Sequence, residues 1–327
     1  MIIGLCYDTK QDYGFDELNL EFTDFTTLET VTEIGRAIEK NGYTVKYIGA
    51  LPRLVECIDN NSLNCDLIFN IAEGFNSRNR EALIPSLLEI KKIPFTASDT
   101  YGMSINLNKY HTKILVESLG IPTPKAVCFK VLNKEIVNKV SQLTYPLIVK
   151  PNCEGGSMAT YLIYTHKELI EKIEQIIQSH SCELLVEEYI DGHEITVPII
   201  GSGASGNALD VVTITMKDGS GIPLYDSSIK LHDADNVNNS VNVSHPHGVK
   251  EKLLRYSEMI HTFFDFKDYS RMDFRVKDNG DIYFLEVNTM PYLGRGGSFE
   301  VCANSIGKEY HEIIGEIIMS ARTRYNM

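Results

Sequence analysis

Apolar positions along the first third of the chain follow two alternating rhythms. Residues 2–7 are a continuous apolar run of strand length. Val31, Ile34 and Ile38 then recur at helical spacing. They follow Thr26-Thr27-Leu28-Glu29, which reads as a capping box with Thr26 as N-cap and Glu29 reaching back. Asn41-Gly42 ends this helix, and residues 43–48 and 66–71 read as a second and a third strand. Residues 83–90 are helical, and Pro94-Phe95-Thr96 begins another strand. Alternating strand and helix predicts a parallel sheet with helices on both faces.

Beyond residue 99 the pattern changes. A helix over 109–119 stops at Gly120, ahead of Pro122 and Pro124. A buried strand over 146–150 leads into the glycine turn Glu154-Gly155-Gly156-Ser157 and a strand over 160–164. A helix over 167–180 and strands over 184–189 and 194–200 follow. The last third holds an apolar stretch over 210–216, a polar stretch over 232–247 and a helix over 249–264. A hairpin over 271–288 and a helix near 310–322 complete it. The Asn-rich segment 236–242 reads as an exposed loop, and neither an internal repeat nor a low-complexity tract is visible.

The hairpin carries the first candidate chemistry. Asn279-Gly280 is the strongest two-residue hairpin signal. With these two as the loop, Asp278 pairs with Asp281, and counting back sets Asp273 opposite Glu286 and Arg271 opposite Asn288. Directly opposite side chains share a face, with Cβ atoms about 4.5–5.5 Å apart. The apolar Met272, Phe274, Leu285 and Val287 then fall on the other, core face. Like charges so placed are unfavourable by roughly 0.2–1 kcal/mol on an exposed sheet. Three arrangements resolve them. A hard divalent cation such as Mg²⁺ takes one or two carboxylates with phosphate oxygens, and Asn288 adds an oxygen on the same face. A shared proton is the second arrangement, and free solvation of a surface hairpin is the third.

Composition narrows the class. A chain of 327 residues exceeds one small core and implies two or three domains or subdomains. An apolar fraction of 43% and a charged fraction of 23% are those of a soluble globular protein. No apolar run approaches the ~20 residues of a membrane span. The start, Met1-Ile2-Ile3-Gly4-Leu5, has neither basic leader nor cleavage site and reads as a buried strand. Seven scattered cysteines without a C-x-x-C pair argue against a zinc site or a disulfide framework, and for reduced thiols in the cytoplasm. A net charge of −13 argues against nucleic acid as the main partner. A polyphosphate ligand would need a few lysines and arginines gathered in one place.

One such place is Lys150, at the end of an apolar strand and just before the glycine turn. Consecutive glycines let backbone N–H groups approach a polyphosphate. A plain Gly-Gly turn beside a surface lysine is the other reading. G-x-x-x-x-G-K-[ST] is absent, and no G-x-G-x-x-G follows the first strand. Lys109 and Lys230, taken singly, read as solvated lysines.

Together these segments carry a resemblance. Residues 146–157, 187–197, 225–230 and 271–288 resemble the ATP-grasp superfamily in the same order, and within it they look most like D-alanine–D-alanine ligases. Asn108-Lys109 with Thr112-Lys113, and Gly120-Ile121-Pro122-Thr123-Pro124, extend the likeness. The fold class implied is α/β: a Rossmann-like parallel sheet (pre-ATP-grasp) over 1–98, then an α+β ATP-grasp domain of two subdomains over 99–186 and 187–327. The resemblance implies ATP and two Mg²⁺ ions, with Mn²⁺ as a substitute, a small-molecule carboxylate and amine, a cytoplasmic location and a homodimer. It implies phosphate contacts for Lys109 and Lys150, and a turn of Glu154, Gly155, Gly156 and Ser157 closing over the phosphates. Glu187 would accept from the adenine amino group. The backbone of Glu188, Tyr189 and Ile190 would line the base, and Glu194 would hold the ribose. Lys230 would reach the γ-phosphate, Asp273, Glu286 and Asn288 would bind the metals, and Arg271 would stabilise an oxyanion.

The likeness breaks where amino-acid substrates would sit. Thr23, Gly156 and Leu231 stand where these ligases carry a Glu, a Ser and a Tyr, although Glu21 or Asp24 can be shifted onto the first place. Ala72-Glu73-Gly74-Phe75, Ser77-Arg78-Asn79-Arg80-Glu81 and Gly294-Arg295-Gly296-Gly297-Ser298 also depart from the pattern. Glu73, Arg78, Arg80, Arg295 and Ser298 are therefore candidate substrate contacts, the arginines for an additional carboxylate; surface arginines are the alternative. Three functions stay open: a D-alanine–D-alanine ligase, a ligase for other amino acids or carboxylates in a biosynthetic pathway, and an ATP-binding protein without catalysis.

Overall fold

The structure, a computed structural model, describes residues 1–16, 25–157, 159–179, 182–222, 224, 229 and 233–327, and these residues form three sheets. The first is built from β1 (Ile2–Cys6), α1 (Leu28–Lys40), β2 (Thr44–Tyr47), α2 (Leu51–Asp59), β3 (Leu67–Asn70) and α3 (Leu83–Lys91). Its strands are parallel in the order β2-β1-β3, as the alternation predicts. Phe95 contributes a single parallel bridge to Ile68, so the strand expected from Pro94 is not formed. The cap of α1 is Thr27 rather than Thr26: the Thr27 hydroxyl accepts from the Thr30 N–H at 3.2 Å. Leu54, Ile84 and Leu88 of α2 and α3 pack on one face of the sheet.

Next come α4 (Thr100–Leu107), α5 (Lys109–Ser118), β4 (Ala126–Phe129), α6 (Lys134–Val140), β5 (Leu147–Pro151), β6 (Tyr161–Ile163), α7 (His166–Ser179) and β7 (Leu184–Glu188). The four strands are antiparallel, in the order β4-β7-β5-β6. Period-two alternation divides their side chains. Leu147, Val149, Leu184 and Val186 join Leu169 and Ile173 of α7 in a core, while Ile148, Lys150 and Glu187 face a cleft. Because β7 belongs wholly to this sheet, the boundary expected at 186/187 falls inside a strand.

The third sheet holds β8 (His193–Ile200), β9 (Asn207–Ala208), β10 (Val212–Met216) and β11 (Val237–Ser240), then, after α8 (Val249–Phe263), β12 (Tyr269–Val276) and β13 (Ile282–Asn288). Its order is β11-β10-β8-β12-β13, with β9 on β8. The segment read as an Asn-rich loop thus contains β11, paired antiparallel with β10; ladder hydrogen bonds hold polar residues that the apolar pattern leaves out. Leu253 and Ile260 of α8 pack against Ile195, Val197, Met272 and Phe274. The chain continues into α9 (Ser298–Ser305) and α10 (Tyr310–Arg324). Ile313, Ile314, Ile317 and Ile318 of α10 share one core with Ile3 and Leu5 of β1 and Ile34 and Ile38 of α1. The second face of the first sheet is therefore covered by α1 together with a helix some 270 residues further along, the two tied by the Asn41 amide donating to the His311 carbonyl at 2.7 Å.

The hairpin has the expected functional register and an unexpected turn. Asp273 pairs with Glu286 and Arg271 with Asn288. Near the turn, however, Val276 pairs with Ile282 and Phe274 with Phe284, one residue off the count from Asp278 and Asp281. The Lys277 and Gly280 N–H groups bond to the Asp281 and Lys277 carbonyls at 2.9 and 2.8 Å, which makes a three-residue loop. Gly280, at φ +89°, takes the left-handed position that closes such a loop. A bulge at Leu285 then restores the offset before Glu286. The bulge also turns Leu285 away from the core, where the simple count put it, and into the cleft.

Candidate active site

A cleft lies between the second and third sheets. On the third sheet, pairing across β8, β12 and β13 sets three rows on its cleft face. Glu194 pairs with Arg275, Thr196 with Asp273 and Glu286, and Pro198 with Arg271 and Asn288. Asp273 is the hub. Arg271 donates to it through both Nε and Nη2 at 2.8 Å, Thr196 through its hydroxyl at 2.7 Å, and Asn288 through its amide at 3.0 Å. The Lys109 ammonium, 3.5 Å from Glu286, also donates to the Glu154 carbonyl at 2.7 Å. Arg275 pairs with Glu194 at 2.6 Å, donates to the Gly192 carbonyl at 2.8 Å, and lies over the Tyr189 ring, 5.5 Å from its centroid.

On the facing sheet, Glu187 is 2% exposed and lies between two cations. Lys150 is 2.8 Å from one carboxylate oxygen and Lys113 is 3.0 Å from the other. Burial pushes the Glu187 carboxyl up, but Lys113 and Lys150 outweigh it and hold it below its ordinary range. Burial likewise lowers Lys150, yet Glu187 and Glu286 keep its ammonium above the ordinary value. Lys113 is held below its ordinary value, chiefly by burial. Tyr189 and Ile190 line the cleft, while the Glu188 carboxylate accepts from the Thr144 N–H at 2.9 Å.

The glycine turn is fastened from outside the second sheet. Arg80, 6% exposed, donates to the Cys153 carbonyl at 2.7 Å and is 3.3 Å from the Glu154 carboxylate. Gly156 and Ser157 both take left-handed backbone, at φ +57° and +61°, and Gly155 and Ser157 line the cleft.

The structure thus gathers Lys109, Lys150, Glu154, Gly155, Ser157, Glu187 to Ile190, Glu194, Asp273 and Glu286 around one cleft, with Arg271 and Asn288 bonded to Asp273. Arg80 is not a surface arginine; it holds the turn. Arg78 is exposed. Arg295 lies away from the cleft, paired with Glu300 and stacked on Tyr310. Ser298 is buried at the start of α9, and the Glu73 N–H donates to Asp8. Lys230, with Thr23, Glu21, Asp24, Leu231 and most of 225–230, lies outside the described residues.

Sequence reasoning gave no role to Lys113, Thr196, Arg275 or Asp8. Lys113 follows Lys109 by one helical turn, and Arg275 follows Asp273 by one strand period, so both shared a face with an assigned residue. Thr196 becomes visible only once β8 is known to pair with β12. Asp8 is fully buried, and accepts from the Glu73 and Gly74 N–H groups at 3.0 and 2.7 Å and the Tyr13 hydroxyl at 3.1 Å. Burial raises its carboxyl to about 6 against those hydrogen bonds.

Two opposed carboxylates and an amide oxygen on one sheet face, open to a polar cleft, suit a hard divalent cation that takes its remaining oxygens from phosphate. Among the described residues no group of three or more His, Cys, Asp or Glu is placed to enclose a metal by protein ligands alone.

Comparisons with known proteins give the family and the fold. The sequence profile described as D-ala D-ala ligase C-terminus matches residues 115–319. A D-alanine–D-alanine ligase of Aquifex aeolicus is 34% identical over 242 residues, 73% of this chain and 77% of that protein. One from Halalkalibacterium halodurans is 29% identical over 286 residues, 86% of this chain and 89% of that protein. The crystal structure of the Bacillus anthracis D-alanine–D-alanine ligase complexed with ATP shares the fold, with a TM-score of 0.76 at 22% identity over 100% of this chain and 99% of that one.

Proposed function

This chain belongs to the D-alanine–D-alanine ligase family, and we propose that, as an ATP-dependent ligase forming a peptide bond, it works through an acyl-phosphate and releases ADP. The observation that supports this most is the Asp273–Glu286 pair facing Lys109 and Lys150 across one cleft, with Arg271 two residues along. In this reading Glu187 accepts from the base's amino group and the backbone of Glu188, Tyr189 and Ile190 lines the base. Glu194 takes the ribose hydroxyls, and Lys109, Lys150 and the turn from Glu154 through Gly155 and Gly156 to Ser157 take the phosphates. Lys230 reaches the terminal phosphate. Asp273, Glu286 and Asn288 hold two Mg²⁺ ions, replaceable by Mn²⁺, which supply charge neutralisation on the phosphates.

A substrate carboxylate attacks the terminal phosphorus of ATP, the bond to ADP breaks, and an acyl-phosphate remains. Lys109 and Lys150 orient the phosphates and offset their charge. The amine then attacks the acyl carbon, and the Arg271 guanidinium holds the oxyanion that develops. Phosphate leaves with the electron pair, the amine loses its proton, and the amide stands. Water must be excluded throughout, and the turn fastened by Arg80 is the element placed to do it. Division into three units, with the second boundary after β7 rather than at 186/187, small amino-acid or carboxylate substrates, a cytoplasmic location and a homodimer belong to the same proposal. No helix among the described residues is long and apolar enough to cross a membrane.

A second reading keeps the reaction and changes the substrates. It is favoured by Gly156 in the turn, where a serine side chain is missing. Coupled ADP release with ATP and Mg²⁺, against single amino acids and pairs of both chiralities, separates the two. Dipeptide from D-alanine alone gives the first reading, and turnover only with another pair gives the second. Nucleotide binding without turnover on any pair refutes a ligase.

A further inference from the structure

Glu187 has two counter-ions that differ in where they come from. Lys150 lines the cleft, whereas Lys113 does not: it approaches the carboxylate from behind, on α5. Its side chain is 3% exposed, and its ammonium sits 3.5 Å from the Phe284 carbonyl and 6.0 Å from the Phe284 ring. It is thus walled in by β7 and β13. Lys109, one turn earlier on the same helix face, points into the cleft toward Glu286 and the Glu154 carbonyl. One helix therefore delivers a cation that can meet a ligand and a cation that cannot.

We propose that Lys113 is a positioning residue, the resident counter-ion that keeps Glu187 ionised and in place when Lys150 turns from it to the nucleotide. The inference rests on the reading of the cleft as a nucleotide site with Glu187 at the base. A polyphosphate entering the cleft competes with Glu187 for Lys150. Were Lys150 the sole partner, its departure would strand a buried carboxylate, which then would retain the lysine or take up a proton. Either result spoils the site. A retained Lys150 is lost to the phosphates, and a protonated Glu187 stops accepting from an amino group. With Lys113 behind it, Glu187 goes from a carboxylate with two cations to a carboxylate with one, and stays compensated in both states. The same logic predicts selectivity: an ionised Glu187 favours adenine, whose exocyclic group donates, over guanine, whose carbonyl at that place accepts.

The experiment is isothermal titration of ATP, ADP and GTP into the full chain, as wild type, Lys113→Met, Lys113→Arg, Glu187→Gln, and Lys113→Met in the Glu187→Gln background. Lys113→Met is expected to weaken ATP and ADP by at least roughly tenfold and to narrow the preference for ATP over GTP. Lys113→Arg, which keeps the charge, stays within about threefold of wild type. In the Glu187→Gln background no carboxylate is left to strand, so Lys113→Met changes affinity less than about threefold. Unchanged ATP affinity in Lys113→Met, or an equal tenfold loss in both backgrounds, overturns the proposal. If Lys113→Met alone does not fold, the Glu187→Gln pair decides: equal affinity with and without Lys113 supports the counter-ion role, and a further tenfold loss overturns it. Wild-type chain that binds neither ATP nor ADP overturns the nucleotide reading itself, a failure distinct from a wild type that binds and a Lys113→Met that binds equally well.

Discussion

The cleft and the buried carboxylate at the end of β1 handle charge in opposite ways. In the cleft four carboxylates each have a cation: Asp273 has Arg271, Glu286 has Lys109, Glu194 has Arg275, and Glu187 has Lys150 and Lys113. Asp8 instead accepts from two backbone N–H groups and a phenol. Ion pairs can be exchanged, because a phosphate can replace a carboxylate on a lysine at little cost. Backbone N–H groups cannot follow a ligand. On the proposed reading the cleft can trade partners, whereas Asp8 fixes the turn at Glu73 and Gly74 in place.

The largest effect that tests this contrast belongs to Arg271. On the proposed mechanism Arg271→Ala is expected to lower kcat by roughly 10²–10³ while ATP affinity stays within a few fold, because the oxyanion it would hold exists only during reaction. Steady-state kinetics with titrated ATP decide, and equal losses in turnover and affinity would remove it from that role.

Asp8 comes next, and its signature is pH. Its folded-state carboxyl is raised from 3.8 to about 6. The folded chain then binds more protons than the unfolded one in that window, so Asp8's stabilising contribution is complete below 3.8 and is lost as pH rises through about 6. The loss amounts to about 3 kcal/mol at most. Urea midpoints between pH 4 and 7 should fall for wild type and flatten in Asp8→Asn, with ATP affinity unchanged; a flat wild-type profile would contradict the burial argument.

Arg80 joins the two regions and gives the smallest effect. Its main chain is so close to Gly74 that a Cβ there would meet the Arg80 carbonyl oxygen at 2.5 Å, and its guanidinium holds the Cys153 carbonyl. Arg80→Ala is expected to raise KM for ATP by about tenfold and leave KM for the carboxylate substrate near wild type. The reverse pattern would return Arg80 to the substrate.

What was legible in the sequence follows the same divide. Asp273, Glu286, Arg271 and Asn288 sit on a two-strand ladder, where period and register carry one residue's position to another's. The register was right at Glu286 although the turn was not: a third loop residue and the bulge at Leu285 are equal and opposite offsets, and neither has a side-chain pattern that announces it. Lys150 was visible at the end of an apolar strand, but its role and that of Glu187 came only from the resemblance. Arg80 was misplaced because a loop has no period, and its buried setting depends on Gly74 and Cys153, far apart in sequence. Thr27 took the cap from Thr26 because adjacent threonines offer the same chemistry, and only the backbone direction distinguishes them. The strand β11 was missed because an edge strand of Val237, Asn238, Asn239 and Ser240 shows no apolar alternation.

The packing of α10 on the first sheet also sets an order of assembly. On a ribosome β1, β2 and β3 emerge early, and α2 and α3 can cover one side as soon as they are made. The other side receives α1 early, but its core is completed only by Ile313, Ile314, Ile317 and Ile318. Until those residues leave the exit tunnel, the core of Ile3, Leu5, Ile34 and Ile38 is only partly covered, so the earliest-made sheet is among the last parts of the molecule to be finished.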